Sequence, residues 1–191
     1  MRLNLTAIAQ KMAEDFFVEN SPMYAIDATL GNGHDALFLS HIVSENGKVF
    51  GFDIQQSAID SSLALFEKNV PKCAYQFFKI GHEEMENVLP NEVIGKVGCV
   101  FFNLGWLPRS DKSIATKSET TLLALEVALK MIDKNNGYLS VLCYRGHTGG
   151  TEEYCEVLNF FRKKFGDKFV SITDESNNVS PVILSMKFKG K

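Results

Sequence analysis

No stretch of this sequence approaches the roughly 20 consecutive apolar residues that span a bilayer. The start of the chain carries one early arginine, Arg2, and then an amphipathic pattern, not a charged region followed by an apolar block. No secretory leader is therefore expected, and the protein is expected in the cytoplasm with no membrane partner. Charge of one sign does not dominate either: 20 Lys and Arg stand against 23 Asp and Glu, for a net charge of -3. This excludes a protein that grips nucleic acid by bulk charge, although not one with a local basic face. Cysteine is sparse and unclustered. Cys73, Cys99, Cys143 and Cys155 form no CxxC pair, and three of them sit in apolar runs. They read as reduced core residues, with no metal site expected. Internal repeats, linkers and low-complexity tracts are also lacking. The 191 residues are expected to form one domain, 1–191, with an N-terminal helix over 1–20.

What is present is apolar material in short periodic blocks, with 15 Phe for a core. Leu5, Ile8, Ala9, Met12, Ala13, Phe16 and Phe17 fall at helical spacing, with Asn4 as a cap and Asn20-Ser21-Pro22 as a stop. Strands and helices then alternate. Strands are expected at 23–28, 48–53, 74–80, 97–102 and 138–143, and helices at 35–43, 56–69, 83–88, 116–133 and 151–165. Asn135-Asn136-Gly137 is expected to end the long helix that precedes the fifth strand. Two closing strands, 169–173 and 182–188, have no helix between them and should pair antiparallel at the sheet edge. Continuous apolar strands separated by helices imply an α/β fold with a mostly parallel sheet covered on both faces. Five parallel strands plus a C-terminal hairpin, seven strands in all, is the Rossmann-like arrangement of class I methyltransferases.

Ligands of such sheets bind outside the carboxyl ends of the strands, and the polar motifs of this chain cluster there. After the first strand comes Asp27-Ala28-Thr29-Leu30-Gly31-Asn32-Gly33-His34-Asp35. Its two glycines permit a sharp turn and close approach of backbone to a ligand, and the next helix offers free N–H groups. The spacing Gly31-x-Gly33-x-x-Ala36 also fits a dinucleotide fingerprint, which keeps an NAD-binding oxidoreductase as a lesser alternative. Two acids weigh against a pyrophosphate. Asp27 lies close before the turn, where it suits the cationic end of S-adenosylmethionine, and Asp35 lies in the first helical turn. Asp53, ending the second strand, is placed to accept hydrogen bonds from ribose hydroxyls. Gly81-His82-Glu83 follows the third strand, at the expected adenine position.

The loop after the fourth strand reads Asn103-Leu104-Gly105-Trp106-Leu107-Pro108. A short Asn, turn residues, an aromatic and a proline resemble the Asn-Pro-Pro-Tyr type motif of amino methyltransferases. Methylating an amine needs a neutral nitrogen whose lone pair points at the methyl group, and the carbonyl of Asn103 could accept its N–H and aim it. Asp111 could hold the amine and take its proton, while Arg109 and Lys112 could contact phosphates. Trp106 could stack on a base. After the fifth strand, Tyr144-Arg145-Gly146-His147 forms a polar loop at the same sheet end, with His147 a second candidate for proton transfer.

Taken together, these stretches resemble the small bacterial rRNA methylase family of MnmM type. The matching runs are Asp27–Asp35, Gly51-Phe-Asp-Ile-Gln55, His82-Glu83, Asn103–Pro108 with Asp111-Lys112, and Gly146-His147. The chain departs from the usual pattern at Ala36, at Trp106, at Arg109-Ser110 and at Arg145–Thr148. The resemblance implies S-adenosylmethionine as cofactor, with cofactor contacts from Asp27, Thr29, Gly31, Asn32, Gly33, Asp35, Asp53, Gln55, His82 and Glu83. Asn103, Asp111 and His147 would line the catalytic pocket, and Trp106, Lys112, Lys117 and Arg145 would meet substrate. The implied reaction methylates the aminomethyl group of 5-aminomethyl-2-thiouridine at the tRNA wobble position, with the anticodon arm as partner. Ribosomal RNA or a small-molecule amine is the alternative acceptor, and a homodimer is left open.

Overall fold

The computed structural model describes residues 4–107, 114–174 and 179–190. Its first helix, α1 (Leu5–Phe16), is capped by Asn4, whose side chain accepts the Ala7 amide at 3.2 Å. The chain then alternates through β1 (Tyr24–Asp27), α2 (His34–Ile42), β2 (Lys48–Asp53), α3 (Gln56–Phe66) and β3 (Tyr75–Lys79). A 3₁₀ turn (His82–Glu84) leads into α4 (Met85–Val88), then β4 (Val97–Leu104), α5 (Ser118–Met131), β5 (Asn136–Cys143), α6 (Gly150–Phe165), β6 (Val170–Thr173) and β7 (Val182–Lys189). The strands form one sheet in the order β3-β2-β1-β4-β5-β7-β6. The five strands β1 to β5 run parallel, and β7 lies antiparallel between β5 and β6. The hairpin therefore returns inward, so that its second strand carries most of the apolar burial.

Strands buried on both sides need two cores. One, around Phe50, Phe102, Leu125, Met131 and Phe161, lies under α4, α5 and α6. The other, around Ala9, Ala13, Leu39, Ile59, Phe66 and Tyr138, lies under α1, α2 and α3. Alternation along β4 explains the split: Val100 and Phe102 face the first core, Cys99 and Phe101 the second.

Two local expectations are corrected. α5 stops at Met131, because Ile132 turns extended and bridges to Val97, so Asn136 and Gly137 open β5 and do not end the helix. Glycine is needed at 137 because a Cβ there would lie 2.2 Å from the Asp133 carbonyl oxygen. Cys99 and Cys143 are core thiols, but Cys155 lies on the exposed face of α6.

Candidate active site

Strand register decides which side chains meet. Asp27 pairs with Gly51 of β2 and Phe101 of β4. Beyond that level the β1 backbone continues, with Ala28 donating to the Phe101 carbonyl and Leu30 to the Phe52 carbonyl. Thr29, Asp53 and Asn103 thus arrive together at the carboxyl end of the sheet, at a topological switch point where β1 has neighbours on both sides. A cavity of about 290 Å³ opens there, near the lower end of the roughly 300–1,000 Å³ range of small-molecule pockets.

The β1–β3 side of this cavity is lined by Thr29, Gly31, Asp53, Gln55, His82 and Glu83. Asp53 is held by backbone donors: Gly31 N–H to Oδ2 at 2.9 Å and Gln55 N–H to Oδ1 at 2.8 Å. With a contribution from the Ile54 amide as well, the carboxylate still has acceptor capacity left for a ligand hydroxyl. Burial raises the Asp53 pKa and these amides oppose the rise. His82 donates from Nδ1 to the Ala28 carbonyl at 3.2 Å, since a carbonyl only accepts. Burial lowers its pKa, so the ring is neutral and Nε2 is an acceptor. Glu83 folds its carboxylate back over Gly81, where a Cβ would lie 2.4 Å from it.

The glycine turn does two separate jobs. Gly31, at φ 51°, borders the cavity. Gly33, at φ 79°, does not: a Cβ there would lie 2.7 Å from Ser62 Oγ of α3, so this glycine serves close packing between the turn and α3 rather than approach to a ligand. Ser62 Oγ in turn donates to the Gly31 carbonyl at 3.1 Å.

Asp27 and Asp35 lie beneath the cavity and do not line it. Asp27 is 1% exposed; its Oδ1 accepts the Thr29 amide at 3.1 Å, and its Oδ2 has no hydrogen-bond partner. Burial pushes its pKa up to about 8; the charge of Asp35 adds to the rise and the Thr29 and Ala36 amides oppose it. Asp35 spends both oxygens within the protein. Oδ1 accepts from Gln10 Nε2 of α1 at 2.6 Å, and Oδ2 accepts from Asn103 Nδ2 at 2.7 Å.

That last contact fixes the direction of Asn103. A carboxylate accepts and does not donate, so the amide nitrogen of Asn103 must face Asp35 and its carbonyl oxygen is left for the cavity it lines. The backbone is fixed as well, by donation of the Asn103 amide to Thr29 Oγ1 at 2.7 Å. Beyond Asn103 the cavity wall is built from Gly105, Trp106, Leu107 and the strip Ile114–Lys117, with Trp106 and Ala115 forming a short antiparallel bridge. Lys117 lines the cavity. His147 does not; it stands behind Trp106, ring to edge at 4.9 Å. Arg145 is committed elsewhere, donating to the Ser180 carbonyl at 2.6 Å and lying over the Tyr154 ring at 5.1 Å. Asn32 and Gly33 also lie outside the cavity lining. Asp111, Lys112 and Arg109 fall outside the described residues.

Sequence reasoning missed Glu153 of α6, which is buried and accepts hydroxyl hydrogens from Thr116 and Thr121. Nothing local marks it, since Glu152 and Glu153 both read as ordinary first-turn acids. Among the described residues no cluster of His, Cys, Asp and Glu is arranged to hold a metal, and no helix is long and apolar enough to cross a membrane.

Comparison with known proteins agrees with this architecture. The chain is similar to a tRNA (mnm(5)s(2)U34)-methyltransferase of Arabidopsis thaliana chloroplasts, 40% identical over 144 residues. The match takes in 71% of this chain and 51% of that protein, so the chain spans about half the length of its curated relative. Among solved structures, a "putative rRNA-methylase" of Clostridium thermocellum superposes with a TM-score of 0.85 at 32% identity, covering 98% of each chain. A methyltransferase-class protein of Streptococcus mutans, solved in complex with SAH, superposes with a TM-score of 0.75 at 28% identity, covering 93% of this chain and 96% of that one. The sequence family described as "Putative rRNA methylase" matches residues 49–184, and this chain belongs to it.

Proposed function

We propose that this protein uses S-adenosylmethionine to methylate the primary amine of 5-aminomethyl-2-thiouridine at the tRNA wobble position. The observation that carries the reading is Asn103, locked by Asp35 with its carbonyl oxygen free on the wall of a nucleoside-sized cavity. The residues present fit the cofactor. Asp53 offers acceptor oxygens to ribose hydroxyls, the neutral His82 and Ile80 flank the place of a base, and Asp27, buried beneath the cavity, offsets the cofactor's cationic amine by charge rather than by contact. The names of the relatives, one a tRNA methyltransferase and one bound to SAH, support the same assignment.

The cofactor supplies a methyl group on a positively charged sulfur; transfer forms an N–C bond, breaks the C–S bond and leaves the amine with one proton to lose. The protein's share is positioning. Asn103 Oδ1 accepts one N–H of the neutral amine and so aims its lone pair. Trp106 offers an aromatic face beside Asn103, and Leu107 and Ile114 keep water from the reacting atoms. Asp111 takes the released proton, while His147 supports Trp106 from behind. Lys117, at the cavity wall, meets a backbone phosphate of the anticodon arm.

The test is transfer of tritium from labelled S-adenosylmethionine to bulk tRNA from cells lacking the protein, followed by nucleoside mass analysis. Label in 5-methylaminomethyl-2-thiouridine is expected. Cofactor binding with no label in tRNA would overturn the wobble-uridine reading and direct the search to rRNA and small amines.

A further inference from the structure

One buried carboxylate has no task in the chemistry above. Glu153 is 3% exposed, and no Lys or Arg forms an ion pair with it among the described residues. It is satisfied by two hydroxyls alone, Thr116 Oγ1 to Oε2 and Thr121 Oγ1 to Oε1, both at 2.7 Å. A carboxylate buried this way is costly, and an apolar side chain would fill the same space between α5 and α6 at less cost. Packing alone therefore does not account for it.

What it holds is the acceptor half of the cavity. Thr121 belongs to the first turn of α5, whereas Thr116 belongs to the wall itself. The backbone N–H of Thr116 donates to the Gly105 carbonyl at 2.9 Å, and the neighbouring Ala115 bridges to Trp106. The two strips that line the cavity beyond Asn103 are thus laced to each other and anchored from behind, through the Thr116 hydroxyl, to Glu153. None of these bonds reaches Asp53, His82 or Asp27; the one link to that half is through space, the Glu153 charge raising the His82 pKa against the larger lowering by burial. We propose that Glu153 is the positioning residue of the acceptor wall: it fixes where Trp106 and Thr116 stand, and so governs productive placement of the amine without touching cofactor. This rests on the amine methyltransferase reading above.

The test compares wild type, Glu153→Ala, Glu153→Gln and Thr116→Val, measuring kcat/KM for undermethylated tRNA and the Kd of S-adenosylhomocysteine by calorimetry. Glu153→Ala should lower kcat/KM about tenfold or more, because loss of a buried partner lets the wall shift, while Kd stays within about threefold of wild type. Glu153→Gln should recover to within about threefold of wild type, since its carbonyl accepts one hydroxyl and its amide donates to the other once that hydroxyl turns. Thr116→Val should reproduce the split of Glu153→Ala, and it carries the test if that variant does not fold. Parallel loss of tRNA turnover and SAH affinity, an unchanged Glu153→Ala, or a Gln variant no better than Ala would each overturn the positioning role. Failure of the wild type itself to methylate tRNA would instead sink the substrate reading on which it rests.

Discussion

The two halves of the cavity are built in different ways. On the β1–β3 side, the two polar side chains nearest the strand ends, and the acid beneath them, are held by backbone: Asp53 by the Gly31 and Gln55 amides, His82 by the Ala28 carbonyl, Asp27 by the Thr29 amide. On the β4–β5 side the groups are held by other side chains far away in sequence. Asn103 and Asp35 are 68 positions apart, Thr116 and Glu153 are 37 apart, and Gln10 reaches Asp35 from α1. Backbone donors at strand ends come with the fold, so under the proposed function a cofactor site built from them would serve many acceptors. Side-chain pairs are specific to this sequence, and under the proposed function they sit where the acceptor must be distinguished. The two halves can therefore be broken separately.

The largest effect is expected at Asn103. On the proposed mechanism, Asn103→Ala removes the acceptor that aims the amine and should lower kcat about 100-fold, on the order of 2.7 kcal/mol, measured in single-turnover transfer to tRNA. Asp53→Ala removes both ribose acceptors and should weaken S-adenosylhomocysteine about 10- to 100-fold by calorimetry, as for a hydrogen bond to a charged group worth roughly 1.5–3 kcal/mol. A smaller, pH-dependent effect belongs to Asp27. Its pKa of about 8 in the folded protein, far above the ordinary carboxyl value, means that cofactor binding must deprotonate it below pH 8. Cofactor affinity should therefore rise by up to about 50-fold from pH 6 to pH 8 and lose that dependence in Asp27→Asn. The stability sign is opposite. The folded state holds this proton more tightly than the unfolded chain, so the contribution of Asp27 to stability is greatest at low pH and is lost as pH rises from about 4 towards 8. Asp27→Asn should raise the Tm at pH 8, measured without ligand, while weakening binding. The smallest effect on chemistry is expected at Gly33, whose φ of 79° and contact with Ser62 concern packing alone. Gly33→Ala should cost about 2 kcal/mol, a fall of roughly 4–8 °C in Tm, with kcat nearly unchanged at lower temperature.

The same contrast explains what the sequence discloses. The strands and helices were legible because their apolar periods differ, and the C-terminal hairpin because no helix separates β6 from β7. The glycine turn and Asp53 were legible because they are local marks at strand ends. The partnerships of Asp35 were not. Its place in the first turn of α2 suggests a cofactor contact, and only the register of β1 against β4 brings Asn103 onto it. Arg145 reads as a free cation in a polar loop, yet the return of the chain before β7 puts the Ser180 carbonyl against it. Cys155 reads as core until the helical period of α6 turns it outward while Glu153 turns in. In each case the missing information was a tertiary pairing, which no single stretch of residues contains.

One measurement tests the division most directly: the Kd of S-adenosylhomocysteine for wild type, Asp53→Ala and Asn103→Ala under one set of conditions. The expected result is a loss of about tenfold or more for Asp53→Ala, with Asn103→Ala within about threefold of wild type. Equal losses in the two variants would contradict a cavity whose nucleoside and acceptor halves are held independently.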